Sequence, residues 1–302
     1  MDITDKILKL KKERGAVILA HNYQVPEVQD IADFVGDSLG LSIEASKTPA
    51  KVIVFCGVYF MAETAKILSP EKTVLIPDRH AGCPMADMIN AAQLIELKKL
   101  HPKAKVLCYV NTTAEVKAEC DLCCTSANAV DLVKGAFSDD EEIIFVPDRY
   151  LAEHVAGQTG RTFIAWHGYC PTHALILPED ISRAKDLHPN AVVLAHPECT
   201  SGVRALADKV ISTEAMYRFA KTSVVKEFIV ATEIGMLHRL KKDNTDKEFY
   251  PATAKAVCPN MKRISLEHIL WSLEGMTHEI TLESAVILKA AKSIERMLEY
   301  KA

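Results

Sequence analysis

The 302-residue sequence lacks any apolar run approaching the roughly 20 residues that a membrane-spanning helix needs. It also lacks a basic excess: its formal net charge is −4 at pH 7, whereas a nucleic-acid-binding surface is strongly positive. Its first residues, Met1-Asp-Ile-Thr-Asp-Lys, do not have the pattern of a secretory signal peptide. These absences predict a cytoplasmic globular protein with neither a membrane nor a nucleic-acid partner.

The sequence contains nine cysteines, which in a reducing cytosol are candidates for metal binding or catalysis rather than disulfides. Three of them precede proline, at Cys83-Pro84, Cys170-Pro171 and Cys258-Pro259, and are 87 and 88 residues apart. This spacing excludes a zinc knuckle, because a knuckle takes its ligands from one short loop. The three thiols can still meet if each ends an equivalent loop in three similar modules set around a common centre.

Three converging thiolates would make a metal site with three sulfur ligands and one open position. Soft thiolates select iron–sulfur clusters, zinc or Cu(I). A four-iron cluster with four cysteines is closed and suits electron transfer, whereas a cluster with three leaves one iron free to take substrate. The alternative is that the three cysteines are simply buried, since free cysteine is among the most buried residue types.

The order of apolar segments predicts an α/β fold. Short apolar runs, at residues 17–20 and 52–55 for example, have the composition of buried parallel strands and alternate with helices. Pro26 is predicted to open one such helix, with Phe34 and Val35 on its inward face. The strand pattern recurs twice more, which predicts three homologous three-layer α/β domains. We place them at residues 1–86, 87–174 and 175–262, followed by a C-terminal helical brace at 263–302.

Three sets of polar residues recur at intervals of 88 and then 87 residues, almost the same intervals as those between the cysteines. They are His21 with Tyr109 and His196, Tyr23 with Asn111 and Glu198, and Ser38 with Ser126 and Thr213. Each residue follows a predicted strand or begins a predicted helix, where open parallel sheets bind ligands. Taken singly, the histidines could be core residues and the hydroxyl residues plain helix N-caps. The shared shift instead predicts that all nine groups surround the thiols, and three helix N-termini would suit a ligand with about three anionic groups.

A second cysteine motif, Cys120-x-x-Cys123 with Cys124 beside it, does not follow this shift. Such a pair can be redox-active or can bind zinc. Here the motif is predicted to lie in a helix and has no second pair, so we expect no functional role for it.

Together these motifs resemble the quinolinate synthase family. The residues that carry the resemblance are His21-Asn-Tyr-Gln, Gly36-Asp-Ser-Leu39, Tyr109-Val-Asn111, Thr125-Ser-Ala-Asn128, His196-Pro-Glu-Cys199, Thr232-Glu-Ile-Gly235 and the three Cys-Pro sites. The resemblance covers essentially the whole chain and is to the compact form of the family. It implies a pseudo-threefold arrangement of the three domains around a central [4Fe–4S] cluster.

The resemblance also implies an activity: condensation of iminosuccinate (iminoaspartate) with dihydroxyacetone phosphate to quinolinate, in NAD biosynthesis. An aspartate-oxidising enzyme would be the partner that supplies iminosuccinate. The resemblance implies Cys83, Cys170 and Cys258 as cluster ligands and the matched polar residues as the lining of the substrate cavity. We expect the substrate-binding groups to be His21, Ser38, Tyr109, Asn111, Ser126, His173, His196, Glu198, Ser212 and Thr213. Proton removal beside an imine needs a base, for which we choose Glu198, and we expect Tyr23, His21 and His196 as further catalytic groups.

Two other functions use the same residues. An iron–sulfur hydro-lyase acting on a citrate-like acid would also need an open iron, but it would not need a phosphate subsite. An iron–sulfur electron carrier or sensor should have a fourth ligand, and the polar sets would then have no purpose.

Overall fold

The computed structural model describes residues 2–299, and these form three parallel sheets of four strands each. The first sheet contains β1 (Ala16–His21), β2 (Phe34–Gly36), β3 (Val52–Cys56) and β4 (Thr73–Leu75). The second contains β5 (Lys105–Tyr109), β6 (Leu122–Cys124), β7 (Ile143–Val146) and β8 (Ile164–Ala165). The third contains β9 (Val192–Ala195), β10 (Lys209–Val210), β11 (Glu227–Ala231) and β12 (Glu248–Pro251). All three sheets have the order second, first, third, fourth strand, which confirms the predicted α/β fold of three related units.

Helices connect the strands, as crossovers between parallel strands require. The first unit has α1 (Ile3–Arg14), α2 (Pro26–Ile31), α3 (Ser38–Lys47) and α4 (Tyr59–Leu68). The second has α5 (Ala91–Leu100), α6 (Ala114–Lys117), α7 (Ala129–Ala136), α8 (Arg149–Thr159) and α9 (Pro171–Ala174). The third has α10 (Pro178–Leu187), α11 (Ser201–Ala205), α12 (Thr213–Thr222) and α13 (Met236–Asp243), and α14 (Leu266–Gly275) and α15 (Ser284–Glu299) follow.

The relation between the units extends to single hydrogen bonds. In each sheet the short second strand pairs only with the end of the first, so one N–H of the first strand is left without a strand partner. An aspartate placed just before the second strand accepts from that N–H at 2.8 Å in all three units. The pairs are Ile18 with Asp33, Val106 with Asp121, and Val193 with Asp208. Their residue numbers differ by 88 and then 87, the shifts that relate the polar sets.

The C-terminal helices pack across the first two units. Helix α14 lies against α1, and α15 lies against β6, α6 and α4. Between these two helices, the Ile280 N–H donates to the carbonyl of Val74 at 2.8 Å and so extends the edge of the first sheet. The predicted brace at 263–302 and the predicted domain boundaries stay predictions. Met1 and residues 300–302, which belong to the predicted segments, lie outside the described residues.

Two local predictions are wrong. The helix that opens at Pro26 ends at Ile31, and the next apolar residues form β2 instead. The helix ends because the backbone of Ala32 is extended, and the next residue, Asp33, accepts a hydrogen bond from the Ile18 N–H of β1. The Cys-x-x-Cys motif is not in a helix, because Cys123 lies in β6 and pairs in register with Cys108 of β5. Within residues 2–299, none of the helices has the length and apolar character needed to cross a membrane.

Candidate active site

One cavity is lined by residues from all three units. The predicted site residues that line it are His21, Tyr23, Ser38, Cys83, Tyr109, Asn111, Ser126, Cys170, His173, His196, Glu198, Thr213 and Cys258. The remaining predicted residue, Ser212, caps α12 by accepting from the Ala215 N–H at 3.3 Å. Ser212 lines a neighbouring cavity, which shares Ser126 with the first.

The three Cys-Pro cysteines reach this cavity from three separate loops. Cys83 follows the first sheet, Cys170 caps α9, and Cys258 precedes a short 3₁₀ turn at Met261–Arg263. Burial raises the pKa of Cys83 to about 12 and raises the pKa of Cys170 well above its usual range. Burial also raises the pKa of Cys258. As thiolates, all three would therefore need a cation beside them.

Glu198 is the acceptor at the centre of the polar side of the cavity. The Tyr109 hydroxyl donates to its Oε1, and His173 Nδ1 lies 2.8 Å from its Oε2. Burial by itself would raise the pKa of Glu198. His173 and His196, together with the hydrogen bonds from His173 and Tyr109, outweigh that effect and hold the pKa well below its usual range. Glu198 is therefore ionised when the cavity is free of ligand.

His21 and His196 occupy equivalent positions at the ends of β1 and β9, and both are neutral. The Nδ1 of each accepts a backbone N–H two residues further along: from Tyr23 at 3.2 Å and from Glu198 at 3.3 Å. A ring nitrogen that accepts carries no proton, and burial lowers the pKa of both histidines to about 3. Each ring therefore has its proton on Nε2. In His196 this atom lies 3.2 Å from the hydroxyl of Ser126.

Tyr23 bonds to a residue that the sequence reasoning did not single out as a site residue. Its hydroxyl lies 2.6 Å from Thr232 Oγ1, and Thr232 in turn lies 2.8 Å from His173 Nε2. Burial, followed by the charge of Glu198, raises the pKa of Tyr23 well above its usual range. Tyr23 is therefore a phenol that can donate a proton, not a phenolate.

Thr232 belongs to the Thr232-Glu-Ile-Gly235 motif but was not predicted as a site residue. Its position carried a signal, because it directly follows β11, and ligands bind at the ends of parallel strands. Glu233, next in sequence, also lines the cavity. Asp148 is the corresponding acid after β7: it is fully buried and caps α8. Burial and then the charge of Glu198 raise the pKa of Asp148.

The hydroxyl residues at the helix starts are not N-caps. Ser38 and Thr213 are the first residues of α3 and α12, which are capped by Asp37 and Ser212. Ser126 precedes α7, whose cap residue is Asn128. The Thr213 hydroxyl is already bonded to the side-chain amide of Asn22 at 3.0 Å. The helix starts do reach the cavity, but an anion near α3 would meet the buried carboxyl of Asp37, whose pKa burial raises.

Among residues 2–299, one set of side chains is close enough to hold a metal ion. The ligand atoms of Cys170, His173 and Glu198 all lie within 4.8 Å of one another. The Cys170 sulfur is also 3.1 Å from His173 Nδ1, so thiol, imidazole and carboxylate form one buried group. Sulfur and nitrogen donors of this kind suit transition metals.

Comparisons with known proteins agree over almost the full length of the chain. A family model described as "Quinolinate synthetase A protein" matches residues 5–299. A "Quinolinate synthase" of Dehalococcoides mccartyi is 56% identical over 296 residues, which is 98% of this chain and 97% of that protein. A "Quinolinate synthase" of Geotalea uraniireducens is 52% identical, over 98% and 97% of the two chains. A "Quinolinate synthase 1" of Methanosarcina acetivorans is 51% identical, over 99% and 98%.

Proposed function

The chain belongs to the quinolinate synthase family of NAD-biosynthetic enzymes, and on that premise we propose that it condenses iminosuccinate with dihydroxyacetone phosphate. The products are quinolinate, one phosphate and two waters, and this equation balances without an oxidant or a reductant. The observation that carries the proposal is the cavity itself, where three thiols from three units face an ionised carboxylate. The comparisons give no support to the hydro-lyase alternative.

We propose that Cys83, Cys170 and Cys258 hold a [4Fe–4S] cluster. The donor set fits, because the three partly buried cysteines line one cavity and the raised pKa values of their thiols mean that only a strongly bound cation would deprotonate them. With three thiolates, such a cluster keeps one iron without a protein ligand and would supply a Lewis acid for the loss of hydroxide. Because a three-thiolate cluster is exposed to oxidants, a reducing cytoplasm is the location we propose.

Glu198 is proposed as the base that removes a proton beside the imine carbon. Its carboxylate needs no prior deprotonation, but its low pKa makes it a weak base in the free site. Substrates that bring two carboxylates and a phosphate into the same cavity raise that pKa by like-charge repulsion. Substrate binding would therefore bring the basicity of Glu198 closer to the working pH.

The other polar groups are proposed to orient the substrates and to deliver protons. Neutral His21 and His196 present Nε2–H donors to carbonyl or carboxylate oxygens. The Tyr23 phenol, held by Thr232, can protonate an oxygen during isomerisation or phosphate loss. The remaining lining residues are proposed to bind the carboxylates and the phosphate: Ser38, Tyr109, Asn111, Ser126, His173 and Thr213. Ser212 would act indirectly, by capping α12.

The direct test is quinolinate formation by protein that is purified without oxygen. We expect the two proposed substrates to yield quinolinate and phosphate in equal amounts, with no added redox reagent. An enzyme that oxidises aspartate can supply iminosuccinate in the assay, which also probes the proposed partner. A sample exposed to air should lose the activity. Release of phosphate without quinolinate, or dehydration of a citrate-like acid instead, would contradict the proposal.

A further inference from the structure

An ion pair joins Glu233, a buried residue that lines the cavity, to Lys262, whose side chain is partly exposed. Glu233 follows β11, and its side chain has no exposed surface. Lys262 belongs to the 3₁₀ turn four residues after Cys258. Its Nζ lies 3.0 Å from Oε1 and 3.1 Å from Oε2 of Glu233, so the ammonium contacts both oxygens. Neither residue has a part in the proposed reaction steps.

On one side the pair holds the backbone of Cys258. The Cys258 N–H donates to Glu233 Oε1 at 3.1 Å. The main-chain N–H of Lys262 donates to the Cys258 carbonyl at 3.3 Å, and this bond does not depend on the lysine side chain. Within the pair it is therefore the Glu233 carboxylate that restricts where the Cys258 thiol can point.

On the other side the pair holds the backbone of Tyr23, in the first unit. Lys262 Nζ donates to the Tyr23 carbonyl, and the Gly235 N–H donates to Glu233 Oε2 at 2.7 Å. A Cβ on Gly235 would lie only 2.8 Å from the Tyr23 carbonyl carbon, so only glycine lets these two segments approach so closely. The Gly235 carbonyl also accepts from Gln29 of the first unit at 2.9 Å.

We propose that Glu233 and Lys262 are positioning residues that hold the Cys258 thiol and the Tyr23 phenol in one fixed geometry. The inference rests on the proposed function, in which Cys258 binds the cluster and Tyr23 donates a proton. Stability alone would not require a charged pair here, because buried ion pairs can often be replaced by neutral groups of similar size at little cost. Partners that orient metal ligands, by contrast, commonly affect metal retention and turnover by about 10–100-fold.

The test is a double-mutant cycle on the anaerobically purified holoenzyme, with variants Glu233→Gln, Lys262→Met and the double variant. Lys242→Met is the matched control, because Lys242 pairs with Asp30 and also joins the third unit to the first, at an exposed site away from the cavity. Three quantities are measured for each protein: the rate of iron release to a chelator, kcat and KM for both substrates, and the melting temperature.

Each single variant leaves one charge unpaired, either the buried carboxylate of Glu233 or the partly exposed ammonium of Lys262. We therefore expect a lower melting temperature, most of all for Lys262→Met, and iron release faster by about 10–100-fold. The double variant removes both charges and should recover most of the melting temperature. Its iron release should stay fast, because the Cys258 N–H has lost its charged acceptor. Its kcat should stay low, with a smaller change in KM, because the bond from Lys262 to Tyr23 is still missing. The control should match the wild type in iron release and kcat.

The inference would be overturned if the double variant recovered iron retention and kcat as well as its melting temperature. The pair would then be purely structural. Single variants that release iron at the wild-type rate would overturn it as well. Failure of the proposed function would look different, because it would be seen in the wild-type protein. That protein would hold no iron or form no quinolinate. That result would remove the premise of the inference along with the function.

Discussion

Replacing Cys170 by Ala is expected to abolish iron binding and quinolinate formation together. Its thiol is one of three from separate loops that face the same cavity, and two remaining thiolates cannot hold a four-iron cluster as three do. Cys170 also contacts His173, which lies beside Glu198, so the substitution removes a contact of the polar groups as well. We expect iron and sulfide content close to zero after anaerobic reconstitution and no detectable turnover. Cys83→Ala and Cys258→Ala should behave in the same way.

Cys120→Ala is the matched control for this prediction. Cys120 belongs to the same unit and is partly exposed, but its thiol bonds to the Val116 carbonyl and does not line the cavity. That variant should keep its cluster and its activity. Circular dichroism of all the variants shows whether a loss of iron reflects misfolding. Full iron and sulfide content in a folded Cys170→Ala variant would remove this residue from the ligand set.

Glu198→Gln is expected to lower turnover by a factor of about 10²–10⁴ while the cluster remains intact, as is typical for loss of a general base. Gln keeps the size of the side chain and one acceptor oxygen, so it can keep the bond from either Tyr109 or His173 but not both in their present form. The equivalent positions in the other units are Tyr23 and Asn111, so the fold itself does not require a carboxylate there. A buried carboxylate is costly unless its charge is used or compensated.

Three measurements on this variant separate a catalytic role from a structural one: quinolinate formation, iron content and melting temperature. Glu153→Gln serves as the control, because Glu153 is half exposed and pairs with Arg204 away from the cavity. If Glu198 is only a structural acceptor, activity should stay within a few-fold of the wild type, or activity and folding should fail together. Either outcome would take Glu198 out of the proposed chemistry.

The sheets and the cavity could be predicted because they depend on a repeated pattern. A shift of 87 or 88 residues carries each strand, and each aspartate that precedes a second strand, onto its equivalent. Parallel strands end at the same edge of a sheet, so polar residues after equivalent strands were expected to converge. Thirteen of the predicted site residues do line one cavity, while their individual roles stay predictions.

The parts that could not be predicted depend on contacts between units. Nothing in the sequence around Thr232 shows that its hydroxyl meets Tyr23 and His173, which lie 209 and 59 residues away. The sequence also does not separate the cap residues from their neighbours. Asp37 and Ser212 cap α3 and α12 one residue before Ser38 and Thr213, and all four are residue types that cap helices or, like Thr, do so nearly as well. The short β6 was read as helix because its pairing with β5 is set by the sheet and not by its three residues.

If three cysteines from three units hold the cluster, one of its irons stays open to ligands inside the cavity. Mössbauer spectra of anaerobic protein, recorded with and without a saturating dicarboxylate that carries a ring nitrogen, would show this open iron. We expect one cluster per chain and a ligand that changes the parameters of a single iron while the others keep theirs. Spectra that are identical with and without bound ligand would show that no iron of the cluster is open to ligands.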